Sequence, residues 1–335
     1  MRLSVLDQSP VPEGSTGPQA LRNTLDLAQL ADQLGYHRYW LAEHHGLSLA
    51  GPSPEVLIGP VASATHRIRV GSGGVMLPHY SPFKVAENFS LLAGLYPNRI
   101  DLGIGRASGT DPLTTYALQR DRREVSPDDF PQQLAELRAH FDRSMPADHP
   151  FSRLGHTLPG GEEKPQIWLL GSSAQSAVWA AQLNLPYAFA DFINPHGAEI
   201  ARSYRERTQT PHTAVGVWAI AADTDEEAER LASSIAMGMA MLRQNRPIPV
   251  PPPEKALRYL EQNPQPPGGR RRIVGSPETV KQGIEAVATE YEADEVIIVT
   301  ITHDHGARRR SYELIAEAFG LAHDLDDRVR AAPAG

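Results

Sequence analysis

The chain has 335 residues, a formal net charge of −8 and no cysteine. Without cysteine there are no disulfides, thiolate nucleophiles, Fe–S clusters or thiolate zinc sites, so any redox chemistry has to come from a bound cofactor. The acidic balance argues against nucleic acid, and no run approaches the ~18 apolar residues of a membrane span, which leaves small-molecule chemistry in the cytoplasm as the expectation.

Short apolar runs alternate with longer helical patterns from end to end, the signature of βα units around a parallel sheet. Strands are predicted at residues 3–7, 38–41, 68–72, 100–105, 167–170, 187–190, 213–222 and 294–300. Eight strands suggest a closed (β/α)8 TIM barrel. It would fill one domain over residues 1–323 and leave residues 324–335 as a flexible tail.

Helix starts are marked by a hydroxyl residue before a proline: Thr16 with Pro18, Ser53 with Pro54, Ser81 with Pro82, and Ser276 with Pro277. Two segments break the rhythm. Residues 106–164 carry one predicted helix, at 131–141. Residues 245–272 hold eight prolines around one short helical turn, and read either as a spacer or, with βα material on both sides, as a lid over the barrel mouth.

Candidate chemistry lies at strand ends, where parallel α/β folds bind ligands. His44 and His45 follow the second strand. Neighbours on an extended segment point opposite ways, so one histidine faces the interior and the other packs outside, an arrangement unsuited to sharing a metal. Gly73-Gly74 closes the third strand and is either a plain turn or a strained peptide pressed against a ligand. Arg106 stands at the end of the fourth. Gly171, Ser172, Ser173 and Ser176 link the fifth strand to a helix, where serines either cap the helix or join its free N–H groups in holding a phosphate. Asp7, Met76, Asp191 and Phe192 are weaker substrate-side candidates. His303 and His305 lack evident carboxylate partners, and no metal site is assigned. The four lysines, Lys84, Lys164, Lys255 and Lys281, all avoid strand ends, which disfavours a Schiff-base aldolase.

Taken in order, Trp40-Leu-Ala-Glu-His-His, Val70-Gly-Ser-Gly-Gly-Val-Met-Leu-Pro, Asn98-Arg-Ile-Asp-Leu-Gly-Ile-Gly-Arg, Gly171-Ser-Ser-Ala-Gln-Ser and Ile273-Val-Gly-Ser-Pro-Glu resemble the bacterial luciferase-like, flavin-dependent monooxygenases. The resemblance spans nearly the whole chain. It implies that His44 is the catalytic histidine near the flavin, and that Gly73-Gly74 is a non-prolyl cis peptide against the isoalloxazine ring. It further implies that Arg106, Ser173 and Ser176 grip the FMN phosphate. A small organic substrate would be oxygenated by a C4a-peroxyflavin formed from O2 and reduced FMN (FMNH2), the latter delivered by a separate NAD(P)H:flavin reductase. A homodimer through helices flanking the second and third strands is also implied. Two departures, the missing reactive cysteine beside Arg106 and Ser172 in place of an acidic residue, point away from a light-emitting heterodimer to a single-component oxygenase. Rival readings are an F420-dependent hydride-transfer enzyme of the same superfamily, for which Arg270-Arg271-Arg272 would be extra basic rim residues, and a non-catalytic flavin-binding protein.

Overall fold

The computed structural model describes residues 1–46, 48–106, 111–118, 129–264 and 270–321. In chain order its elements are β1 (Arg2–Asp7), α1 (Gly17–Leu34), β2 (Arg38–Leu41), α2 (Pro54–Ser63), β3 (Arg69–Met76), α3 (Pro82–Leu95) and β4 (Ile100–Gly105). Then come α4 (Pro112–Leu118), α5 (Phe130–Asp142), β5 (Gln166–Gly171), α6 (Ala174–Gln182), β6 (Tyr187–Ala190), α7 (Ala198–Arg207) and β7 (Thr213–Ala221). The chain continues through α8 (Asp225–Arg243), α9 (Pro253–Gln262), β8 (Arg272–Gly275), α10 (Pro277–Glu290), β9 (Glu295–Val299) and α11 (His305–Ala318).

All the strand pairings are parallel, and β1-β2-β3-β4-β5-β6-β7-β9 close on β1 as a barrel. Its eight strands are the eight predicted. The ninth, β8, was not foreseen. It pairs with β7 from Trp218↔Arg272 to Ala221↔Gly275, whereas β6 pairs with β7 from Tyr187↔Thr213 to Ala190↔Gly216. Because Trp218 also pairs with Val299 of β9, β8 occupies the opposite edge of β7 and takes over where β6 stops. Only four residues long and opening on arginine, it carries too little pattern to be read alone.

The alternation of each strand divides the core into two layers. Val5, Tyr39, Leu41, Val215 and Val217 face outward into the helices, while Leu6, Trp40, Trp168, Ala188, Ala214, Trp218 and Ile297 fill the barrel. At its lower end Arg38, 2% exposed, lies between Asp101 (2.7 Å) and Glu295 (3.1 Å), with its guanidinium over the Trp168 ring. This buried charge is matched from both sides, as burial requires.

Thr16 and Ser276 do accept the capping hydrogen bonds expected of them, from the N–H groups of Gln19 and Thr279. Ser53 and Ser81 stand at the N-cap positions of α2 and α3 but make no such side-chain bond, leaving the following proline as the start signal. Between residues 106 and 164 the structure adds α4 to the single helix expected. In the proline-rich segment the expected single turn is a ten-residue helix, α9, packed along α8. Upstream of α9, Val250 exchanges backbone hydrogen bonds with Val11 and Glu13 of the β1–α1 loop. The predicted tail lies outside the described residues.

Candidate active site

The C-terminal ends of the strands enclose a cavity of about 320 Å³, within the ~300–1,000 Å³ usual for small-molecule sites. Leu6, Trp40, Leu170, Ala188 and Ile297 make its apolar base. His44, Gly73, Gly74, Met76, Arg106, Gly171, Ser172, Ser173, Ser176 and Phe192 all line it. The sequence candidates from β2 to β6 are thus gathered around one space.

His44 follows Trp40 and Ala42 on the inward parity of β2. Its Nδ1 is buried and finds no hydrogen-bond partner among the described residues. Burial, helped by the neighbouring His45, lowers its pKa to about 4, so the ring is neutral near pH 7 and able to accept a proton. His45 turns the other way, its Nε2 3.1 Å from Glu43. Glu43 is fully buried and also accepts from the Met76 N–H (2.8 Å) and the Tyr80 hydroxyl (3.0 Å), fastening the end of β2 to the end of β3.

The peptide between Gly73 and Gly74 is cis. A Cβ on Gly73 would lie 2.6 Å from Leu6 Cδ1 and 3.0 Å from Trp40 Cβ. On Gly74 it would lie 2.6 Å from both the Gly103 carbonyl oxygen and Leu170 Cδ1. No side chain fits at either position, and bare backbone forms this wall of the cavity.

The same cavity is bordered by the N-terminus of α6. Ser173 caps it by accepting from the Ser176 N–H, and the Ser176 hydroxyl bonds the Ser173 carbonyl (2.8 Å) and the Tyr187 hydroxyl (2.9 Å). The Arg106 guanidinium carbon lies 5.4 Å from the centre of the Trp179 ring. A helix terminus and a cation therefore share one end of the cavity, the combination suited to an anion.

Asp7 and Asp191 do not line this space. Both fall on the outward parity of their strands, with Val5 and Phe189. Burial alone would raise the Asp7 carboxyl, but Arg308 (2.7 Å) and the hydroxyls of Tyr39 and Thr24 hold its pKa below the ordinary value. Asp191 is raised by burial, against the opposing effects of the Tyr291 hydroxyl (2.8 Å) and Arg271 (3.4 Å). Both carboxylates hold elements together outside the barrel. His303 bonds the Glu13 carbonyl, Asp304 caps α11, and His305 pairs with Asp26 at 2.7 Å. Among the described residues no cluster could hold a metal.

Glu43, Tyr187 and Trp179 were not singled out from the sequence. Glu43 had a signal, its place beside His44. The other two are aromatic residues in apolar runs, indistinguishable there from core.

The family model for luciferase-like monooxygenases matches residues 1–294. An N-acetyl-S-alkylcysteine monooxygenase of Bacillus subtilis (strain 168) is 39% identical over 332 residues, covering 95% of this chain and 98% of its own. The solved structure of apo-MsnO8 superposes with a TM-score of 0.87 at 40% identity, covering 96% of this chain and 98% of its own. The oxygenating constituent of 3,6-diketocamphane monooxygenase from Pseudomonas putida, solved in complex with FMN, shares the fold at 21% identity and a TM-score of 0.71, over 95% of this chain and 98% of its own.

Proposed function

The chain belongs to the luciferase-like monooxygenase family, and we propose that it uses reduced FMN and O2 to oxygenate a small organic substrate. The observation that carries this reading is the meeting, on one cavity, of His44, the bare Gly73-Gly74 backbone and an anion-binding end built from Arg106 and α6. A flat, apolar ring with a phosphate tail fits that division. The diketocamphane enzyme, solved in complex with FMN, lends support.

Bound reduced flavin supplies two electrons to O2, one oxygen atom entering the substrate and the other leaving as water. The protein does the rest. Arg106, Ser173 and Ser176, with the backbone of Gly171 and Ser172, hold the phosphate, while Gly73 and Gly74 let the ring lie against the chain. Leu6, Trp40, Leu170 and Ile297 keep water from the reacting face, and His44 takes or returns a proton there. Met76 and Phe192 touch the substrate.

The described parts of the proline-rich segment, residues 245–264 and 270–272, act as a lid, residues 265–269 lying outside the described residues; reduced FMN comes from a separate NAD(P)H:flavin reductase, and two copies associate through α2 and α3. The relative named for N-acetyl-S-alkylcysteines makes a thioether the first substrate to try. Arg106→Ala is expected to weaken FMN binding about tenfold or more, the order lost with a charge-assisted contact. Equilibrium titration followed by flavin fluorescence measures it, and an unchanged affinity would remove Arg106 from the phosphate site.

A further inference from the structure

The Arg270-Arg271-Arg272 run lies where β8 takes over from β6 beside β7, and its members have different surroundings. Arg271 is engaged by Glu290 (2.6 Å), Asp191 (3.4 Å) and the Pro195 carbonyl, tying the start of β8 to the end of β6. Arg270 has no such partner among the described residues. Its guanidinium carbon lies 5.6 Å from the centre of the Trp218 ring, and no carboxylate among the described residues pairs with it. Its charged neighbour is a second cation, Arg243; burial and that charge both lower its pKa.

Trp218 stands between this cation and Phe192; neither Trp218 nor Arg270 lines the cavity itself. Trp218 is 8% exposed, its Nε1 is buried without a hydrogen-bond partner among the described residues, and its ring stacks on Phe192 at 6.1 Å and 22°. Phe192 in turn lines the cavity, lying so close over β7 that a Cβ on Gly216 would come within 2.7 Å of it. An aromatic path therefore runs from the cavity wall out to a guanidinium that no described carboxylate neutralises, on a protein whose net charge of −8 otherwise repels anions. The phosphate-suited end is built from Arg106 and α6, with Arg106 against Trp179, whereas Arg270 stands against Trp218 of β7, which leaves this cation to something other than the phosphate contacts.

We infer that Arg270, backed by Trp218, receives the anionic end of the substrate, so that the enzyme acts on small organic carboxylates whose apolar, oxidisable part lies over Phe192 and reaches toward His44. This rests on the monooxygenase reading of the same cavity.

The test loads the protein with reduced FMN without oxygen, and measures the flavin affinity first. Calorimetric titration then compares a panel of apolar carboxylates, N-acetyl-S-benzylcysteine among them, with their methyl esters. Acids should bind the wild-type protein about tenfold tighter than esters, the size of one charge-assisted contact. Arg270→Ala should erase that preference and leave flavin affinity unchanged, and Arg270→Lys should restore part of it. Arg270 is exposed over part of its side chain and packs into no core cluster, so these variants should fold. The inference is overturned if no acid is preferred over its ester, if the preference survives in Arg270→Ala, or if that variant loses flavin instead, which would assign Arg270 to a cofactor phosphate. Failure of the wild-type protein to bind reduced FMN would strike the parent reading, and is seen before any acid is added.

Discussion

His44 derives its chemistry from what surrounds it. An imidazole in water would be about half protonated near pH 6.5, whereas here burial and His45 favour the neutral ring down to about pH 4. Since the depressed pKa preserves the neutral form, the competent state of a proton acceptor persists as the pH falls below 6.5 and is lost only on approach to 4. The kcat/KM for reduced flavin should therefore show no acidic limb near 6.5 but one close to 4. A limb at 6.5 that disappears in His44→Gln would show that the imidazole is solvated in the working enzyme.

At the scale of elements, strand parity accounts for both successes and misses. Trp40, Ala42 and His44 share the inward side of β2 and its extension, so the placement of one histidine inward and the other outward was legible from alternation alone. The same rule puts Asp7 with Val5 and Asp191 with Phe189, outside the barrel. Choosing those two by their position at strand ends neglected the side on which they lie. The bonds of Glu43 to Met76 and Tyr80 and the Tyr187–Ser176 pairing cross between neighbouring strands or between a helix and the next strand, and only the packing of these elements brings the partners together. The glycine wall was half legible: Gly73-Gly74 stood out, but the reason no side chain fits, Gly103 and Leu170 on neighbouring strands, did not. Gly74→Ala should cost about 1–3 kcal/mol, the usual range for overpacking, read as a lower urea midpoint at unchanged m-value. A midpoint equal to wild type would mean that β3 and β4 can part without penalty.

Across the whole molecule, the eight barrel strands were legible because each carries an apolar run bounded by helix signals. β8 was not, and α9 was legible only as one short turn, since the proline-rich stretch around it masks most of the ten-residue helix. The outer surface leaves Val56 of α2 and Leu91 and Leu95 of α3 exposed, by 66%, 49% and 70%. Apolar side chains on neighbouring helices are what a self-association surface needs. Sedimentation velocity should find a dimer that Leu95→Arg converts to monomer at unchanged circular dichroism. A wild-type monomer at micromolar concentration would refute the proposed association.

The central claim, that one cavity binds reduced FMN and directs its reaction with O2 through His44, is tested most directly by anaerobic titration with reduced FMN followed by mixing with O2 and a thioether. The account predicts one flavin bound per chain and sulfoxide formed in place of most of the hydrogen peroxide. His44→Ala should bind flavin as well as wild type but yield sulfoxide about 10²–10⁴-fold more slowly, the range for losing a proton-transfer group. A protein that ignores reduced FMN but binds reduced F420, or a His44→Ala variant as active as wild type, would contradict it.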